Sequence, residues 1–314
     1  MRATLIYNEN SGGARQTSAD KLLSLLEAQG FEPVYQATSS EEELDPILDK
    51  IDGLVVSVGG DGTHRAVVTR MINKGASLAM IPCGTANNIA RSLDISGSPE
   101  ELIQALENPI HCKFDVGHVI SPFGEDYFLE AIGCGLFADI LYDYNPEKGK
   151  SVLRALKTIN DVLLGYDPKH LEVRLDGESL EGHYIGLEVL NTKATGPRLK
   201  LAPNADPCDG TLDVVCVSPP KNVSLFDYIA AILSDGFDKL ENVTVLKGKT
   251  LELAWDGEPF HLDDELRPQP DKPDSSQAPA LGARPDSQTK TAGKITVEIL
   301  PAAIDLWLPQ KDAA

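Results

Sequence analysis

Basic side chains are in short supply: 28 lysines and arginines face 48 aspartates and glutamates, for a formal charge of −20 over 314 residues. That balance excludes broad nucleic-acid binding and general attraction to an anionic membrane, although a local basic patch can still act. No apolar stretch approaches the roughly 18 residues of a membrane-spanning helix. Cysteine is sparse, and the five present are scattered without a CxxC pair. Their number and spacing exclude a structural zinc site and point to a reducing compartment. The opening MRATLIYNENSGG runs from strand to turn and lacks the shape of a signal peptide. The expected location is cytoplasmic, with room for a peripheral contact at the inner membrane face.

What is present centres on Leu54 to Thr63. Leu54–Val58 is a short apolar, β-branched run after the turn signal Asp52-Gly53, so it reads as a buried strand. Gly59-Gly60-Asp61-Gly62-Thr63 follows, then His64 to Asn73 with Val67, Val68, Met71 and Ile72 at helical spacing. Glycines there let a ligand approach the backbone, and the start of the helix offers unpaired N–H groups to phosphate. Asp61 repels phosphate, so it suits a metal ion, a hydroxyl or a ribose. The pattern is neither the dinucleotide fingerprint nor the P-loop, since no lysine follows the glycines.

Around this centre the chain alternates strand and helix. Strands are predicted at Ala3–Tyr7, Pro33–Gln36 and Leu78–Ile81, and helices at Thr17–Gln29, after Ser40 with a capping box to Glu43, and after Ser98-Pro99. The rhythm predicts a mostly parallel sheet with helices on both faces. Three turns, 8–13, 59–63 and 82–88, sit at carboxyl ends of strands, where open α/β sheets collect ligands. One such turn is explained by structure alone. Three favour a shared cleft for a nucleotide or another phosphorylated ligand. Cys83 has no histidine partner in sequence and reads as a packing residue.

GGDGT followed, after a helix and a strand, by Pro82-x-Gly84-Thr85-x-Asn87-x-x-Ala90-Arg91 resembles the diacylglycerol kinase catalytic domain family. Its bacterial lipid kinases and the sphingosine and ceramide kinases share this arrangement, and NAD kinases resemble it more distantly. The resemblance implies ATP bound between two domains, with Mg2+, and γ-phosphoryl transfer to a lipid hydroxyl. By position it assigns the ATP site to Asn8, Asn10, Ser11, Gly12, Thr38, Gly59, Gly60, Asp61, Gly62, Thr63, Arg65, Gly84, Thr85 and Asn87. Asn87-Asn88 departs from the Asn-Asp of many relatives.

Beyond His111 the pattern becomes short strands separated by turns: Lys113–Val119, Tyr127–Ile132, Tyr184–Leu190, Leu212–Val217, Val243–Leu246, Thr250–Trp255 and Lys294–Leu300. They indicate an antiparallel sandwich or a closed sheet. With the resemblance, the expected fold is an N-terminal nucleotide-binding three-layer α/β domain, 1–112, and a mostly antiparallel β-sandwich domain, 113–300. The segment 301–314 is expected to return to the first domain. Helices are predicted at Gly149–Leu164 and Leu225–Leu233. A disordered insertion is expected at 263–293, which is rich in Pro, Ser, Gln and charge.

Further site residues come with the resemblance. Asp61 and Asp115 are candidates for holding waters on magnesium. Pro203 to Thr211 is similar to a loop that holds a structural magnesium in bacterial relatives, here through Asp209 and carbonyls near Asp206 and Thr211. Cys208 replaces an aspartate of that loop, and a hard cation prefers oxygen. Trp255-Asp256-Gly257-Glu258-Pro259 is similar to a D-G-E turn, which makes Glu258 the base and Asp256 an orienting or alternate carboxylate. A helix-borne basic set (Lys148, Lys150, Arg154, Lys157) and Lys193, Arg198 and Lys200 are candidate lipid contacts or plain solvated faces.

The leading expectation is an ATP-dependent lipid kinase with diacylglycerol as default acceptor and a lipid substrate at a membrane surface. Sphingoid lipids, ceramide or phosphatidylglycerol stay open as acceptors, as does an NAD kinase-like reaction. A noncatalytic nucleotide- or lipid-responsive regulator is the third alternative. Some bacterial relatives form dimers, so a homodimer is also carried as an expectation.

Overall fold

A computed structural model describes residues 1–8, 17–38, 40–143, 166–268 and 293–310. The chain forms two compact units. The first is Met1–Val116 with Asp206–Gly210 and Leu300–Ala314, and the second is Gly117–Ala205 with Thr211–Ile299.

The first unit alternates as its sequence pattern predicts: β1 (Arg2–Tyr7), α1 (Ala19–Ala28), β2 (Glu32–Ala37), α2 (Leu44–Leu48), β3 (Leu54–Gly59), α3 (Asp61–Met71), β4 (Ser77–Pro82), α4 (Asn88–Ser92) and α5 (Pro99–Gln104), leading into β5 (Ile110–Ser121). The strands lie in the order β2-β1-β3-β4, all parallel. The second half of the chain's last strand adds a further parallel partner to β4, with Asp305 opposite Ser77. All six residues of β3 are buried, as expected of a central strand covered on both faces. α1 starts at Ser18, whose hydroxyl accepts from the Lys21 amide, and buries Leu22 and Leu26. α5 has a complete capping box between Ser98 and Glu101, with Pro99 in its first turn.

The capping box expected at Ser40 does not form. α2 begins at Leu44 with Glu43 as its cap residue and no capping side chain. Pro46 explains the late start. In a helix opening after Ser40, Pro46 would be interior, clashing with the carbonyl four residues back. Starting at Leu44 places it in the first turn, where a missing N–H is harmless.

His64 lies on α3 and is fully buried. Its Nδ1 is 3.0 Å from the Ser57 hydroxyl of β3, and its Nε2 has no hydrogen-bond partner. Burial pushes this imidazole down to about 4.

The second unit holds β6 (Gly124–Phe128), β7 (Ala131–Gly135), α6 (Leu136–Asp143), β8 (Lys169–Leu171), β9 (Val173–Leu175), β10 (Glu178–Ser179), β11 (Gly182–Tyr184), β12 (Gly186–Leu190), β13 (Ala194–Thr195), β14 (Leu199–Lys200), β15 (Leu212–Val217), α7 (Leu225–Leu233), β16 (Val243–Gly248), β17 (Thr250–Trp255), β18 (Phe260–Leu262), β19 (Glu265–Arg267) and the first half of β20 (Gly293–Leu308). One antiparallel sheet runs β16-β15-β12-β7-β18-β19, and β10-β9-β17-β20 forms the other layer. Ile132, Leu187, Val214 and Phe260 from the first pack with Val173, Leu251, Leu253, Ile295 and Val297 from the second. Each such side chain contributes about 1.5–3 kcal/mol on burial. The result is a β-sandwich.

On the face of the β16–β19 sheet turned away from that core, Glu188 of β12 meets His261 of β18 at 2.7 Å, with both side chains buried. Burial favours a neutral imidazole, but the Glu188 carboxylate overrides it and His261 is raised. Gly133 of β7 makes the space, since a Cβ there would stand 2.2 Å from the Glu188 carboxyl.

Two expectations are corrected here. The strand read as Tyr127–Ile132 is broken at Leu129 and Glu130. Asp263 accounts for the break, because its carboxylate accepts from the Leu129, Glu130 and Ala131 amides. The insertion expected from 263 also starts too early. Asp263 is 5% exposed, and Glu265–Arg267 pairs back on Phe260–Leu262. Residues 269–292, and the whole helix predicted at Gly149–Leu164 with its basic set, lie outside the described residues.

The cysteine reading changes as well. Cys112 and Cys208 form a disulfide across a sequence separation of 96, while Cys83, Cys134 and Cys216 are free and buried. Odd count and spacing could not show this, because the partners meet only in the fold.

Two outcomes follow from these contacts. The unfolded chain protonates His64 near its ordinary 6.5 and the folded chain only near 4, so the unfolded state binds more protons between those values. This contribution is intact above pH 6.5 and is lost as pH falls toward 4, by about 3 kcal/mol. Urea melts from pH 7 to 4.5 should show a slope that His64→Gln lacks. Replacing both bridged cysteines with serine should lower stability by about 2–5 kcal/mol. The same loss should appear on melting the native protein with reductant, and the serine variant should be insensitive to it.

Candidate functional site

The turns singled out in the sequence follow β1, β3 and β4, neighbouring parallel strands, so all three leave the same sheet edge. After β1, the Asn8 amide donates to the Val58 carbonyl at 3.1 Å, and its side-chain Nδ2 donates to Thr63 Oγ1 at 2.9 Å. After β3, Gly60 caps α3 in extended backbone with no side chain filling the cap. Gly60 thus leaves the first-turn amides of α3, at the positive end of the helix dipole, without a cap from its own side chain. After β4, Asn87 adopts φ 52. Its side chain closes the turn on itself, accepting from the Gly84 amide at 2.8 Å and donating to the Gly84 carbonyl at 3.0 Å.

The two glycine turns abut backbone to backbone. A Cβ on Gly84 would lie 2.6 Å from the Gly60 Cα and 2.7 Å from Asn87 Oδ1, whereas one on Gly62 would meet nothing within 4 Å. Asp61 ties the turns together, its Oδ1 accepting from the Ile89 amide at 3.2 Å, inside the first turn of α4. Arg65 and Thr85 belong to the same turn-and-helix segments, half-buried and exposed respectively, and Thr38 follows the end of β2. Asn10, Ser11 and Gly12 lie outside the described residues.

Asp115 is 1% exposed and shapes a second feature of the first unit. Its oxygens accept from the Gly210 amide at 2.6 Å and the Ala302 amide at 2.7 Å, and its own amide donates to the Pro207 carbonyl at 2.8 Å. Burial pushes the Asp115 carboxyl up, against the pull of those two amides. The Asp206–Gly210 loop is thus held on β5 by Asp115 and by the Cys112–Cys208 bond.

In the second unit, Glu258 stands in the turn between β17 and β18, with Gly257 at φ +98. Trp255 Nε1 donates to the Glu258 carbonyl at 2.7 Å, and the Glu258 amide donates to Asp256 Oδ1 at 3.2 Å. Lys169, at the start of β8, places its Nζ 3.0 Å from Glu258 Oε2 and 3.9 Å from Asp139 Oδ2 of α6. Lys169 carries no sequence signal. It is a single lysine whose carboxylate partners lie far away along the chain. Of the basic residues singled out as lipid contacts, Lys200 is paired with Asp235 at 2.8 Å.

The Diacylglycerol kinase catalytic domain model matches residues 2–119, and the YegS C-terminal NAD kinase beta sandwich-like domain model matches residues 149–306. The chain belongs to the bacterial diacylglycerol kinase and YegS-like lipid kinase family. The diacylglycerol kinase of Bacillus subtilis is 28% identical over 284 residues, covering 82% of this chain and 89% of its own. A Pseudomonas fluorescens protein described as "Probable lipid kinase YegS-like" is 29% identical over 219 residues, 66% of this chain and 69% of its own. A crystal structure of a diacylglycerol kinase from Bacillus anthracis shares the fold, with a TM-score of 0.67 over 98% of this chain and 96% of that one at 17% identity. Membership in this lipid kinase family supports a phosphotransferase-like activity.

The residues named for a structural magnesium, Asp206, Asp209 and Thr211, lie on the loop that leads into β15. Asp206 and Asp209 are exposed, Asp206 Oδ1 accepts from the Cys208 amide at 3.0 Å, and Cys208 is bonded to Cys112. Among the described residues no group of three or more acidic, histidine or cysteine side chains could hold a metal ion. The Cys112–Cys208 bond fixes the loop on β5.

The abutting turns give a direct test. Gly84→Ala should lower stability by about 1–3 kcal/mol, read as a fall of several degrees in melting temperature, and should reduce the thermal shift produced by ATP. Gly62→Ala should leave the melting temperature nearly unchanged.

Proposed function

We propose that the protein is an ATP-dependent lipid kinase that transfers the γ-phosphoryl group of ATP to a lipid hydroxyl, with diacylglycerol as acceptor. The observation that carries this reading is the open N-terminus of α3 beside the Gly84 turn. A helix start with no capping side chain, reached through glycines, binds phosphate through backbone amides. The relatives that match over most of the chain are lipid kinases, which supports the choice of acceptor.

In this reading Asn8, Gly59, Gly60, Gly62, Thr63, Arg65, Gly84, Thr85 and Asn87, with Thr38, hold the nucleotide. Asn10, Ser11 and Gly12 complete that set. Asp61 fixes the α4 turn against the phosphate loop, which sets the line of attack on the γ-phosphorus. Asp115 shapes the 206–210 loop through backbone amides. Magnesium bound to the ATP phosphates would supply charge screening there. Glu258 accepts the proton of the attacking hydroxyl, so the acceptor oxygen gains phosphorus as it loses hydrogen. Asp256 fixes the backbone of Glu258 by receiving its amide. A lipid acceptor is met at a membrane surface, and no helix among the described residues is long and apolar enough to cross a membrane.

One panel tests the proposal: ATP consumption and product phosphorylation with diacylglycerol, sphingosine, ceramide, phosphatidylglycerol and NAD. Phosphatidate from diacylglycerol is the expected product. Phosphorylation of NAD alone would replace the lipid with a soluble ribose hydroxyl, and no turnover with any acceptor would favour a regulatory protein. Glu258→Gln should reduce turnover by about 10²–10⁴-fold with the ATP thermal shift retained. Near-normal turnover would remove Glu258 from the base role.

A further inference from the structure

The backbone of Glu258 is fixed within its own turn by Trp255 and Asp256, but neither contact aims its carboxylate. Lys169 does, from a different element, through the 3.0 Å contact to Oε2. Both side chains are about one-fifth exposed, 19% for Lys169 and 21% for Glu258. A pair so placed is screened less than a surface ion pair. The surroundings are otherwise acidic. Asp139 of α6 reaches the same ammonium, and Asp256 shares the turn. Burial pushes the Cys134 thiol of β7 up to about 12, with Glu188, Asp256 and Asp139 adding to the rise and Lys169 opposing it, so it adds no charge at neutral pH. The Tyr166 ring stands 5.9 Å from the Lys169 ammonium. Among the described residues, Lys169 thus contacts both the Glu258 and the Asp139 carboxylates.

We infer that Lys169 is a positioning residue for the Glu258 carboxylate: it aims Oε2 and keeps the group ionised among Asp139 and Asp256. The inference rests on the proposed role of Glu258 as the proton acceptor. A base must be deprotonated before the acceptor binds, and neighbouring carboxylates oppose that state while an ammonium in contact favours it. Without Lys169, Glu258 would hold its proton to higher pH and its side chain would lose its aim. The expected signature is loss of activity on the acid side, with recovery as pH rises, while ATP binding is unchanged.

The test uses the full chain as Lys169→Met, Lys169→Gln and Lys169→Arg. First, kcat/KM for diacylglycerol in mixed micelles is measured from pH 5.5 to 9. The acid limb should move up by about one pH unit or more in Lys169→Met, a loss of about tenfold below it, and Lys169→Arg should restore most of it. Lys169→Gln should shift likewise, and it serves if the methionine variant folds poorly. Second, a titration followed by 13C NMR of labelled glutamate carboxyls reads the same group without turnover, the Glu258 signal being the one missing in Glu258→Gln. Its midpoint should rise in Lys169→Met and Lys169→Gln. A midpoint and an acid limb both unmoved in a folded, uncharged variant would overturn the inference. If the midpoint moves but Glu258→Gln is fully active, the pairing stands and the base role of Glu258 falls. If Glu258→Gln is inactive and nothing moves, the base role stands without Lys169.

Discussion

Gly60 and Gly84 meet where no side chain fits between them, and the Gly84 Cβ position lies 2.6 Å from the Gly60 Cα. This contact is the constraint on which the nucleotide side of the first unit rests. It needs β3 and β4 to be neighbours in register, so that both turns leave the sheet at one level. It also needs Asn87 to close its own turn in left-handed backbone and Asp61 to reach the Ile89 amide. The start of α3 is capped by a glycine, which brings no side chain of its own to the first-turn amides.

The second unit reaches its arrangement by different means. Its carboxylates and cations are held by a sandwich of short strands, where position comes from register rather than from turns. Asp263 receives three amides where two strands part, and Glu188 and His261 pair in a buried position on the sheet's other face. The Glu258 turn is built locally, with a tryptophan indole and an aspartate fixing its backbone. The direction of its side chain is set from β8.

The layout of the first unit could be read from the chain because local signals agreed. A continuous apolar run gave β3, glycines gave the turns, and Ser98-Pro99 gave the start of α5. The errors have local causes too. Ser40 and Glu43 have the right spacing for a cap, but Pro46 moves the helix start. Leu129 and Glu130 sit within an apolar run, and a distant carboxylate takes their amides. The composition of 263–293 looked uniform, yet its first residues pair as a hairpin. Contacts between distant residues left no trace at all. Nothing near Cys112 announces Cys208, and nothing near Lys169 announces Glu258.

The Cys112–Cys208 link has a topological consequence. It closes everything between those residues into a covalent ring that includes β6 through β14 and the residues 144–165. A single cut anywhere in that ring leaves one molecule, with both pieces still joined through sulfur. Only a reductant separates them. Backbone continuity and molecular integrity are therefore different properties over this stretch, and the second outlasts the first.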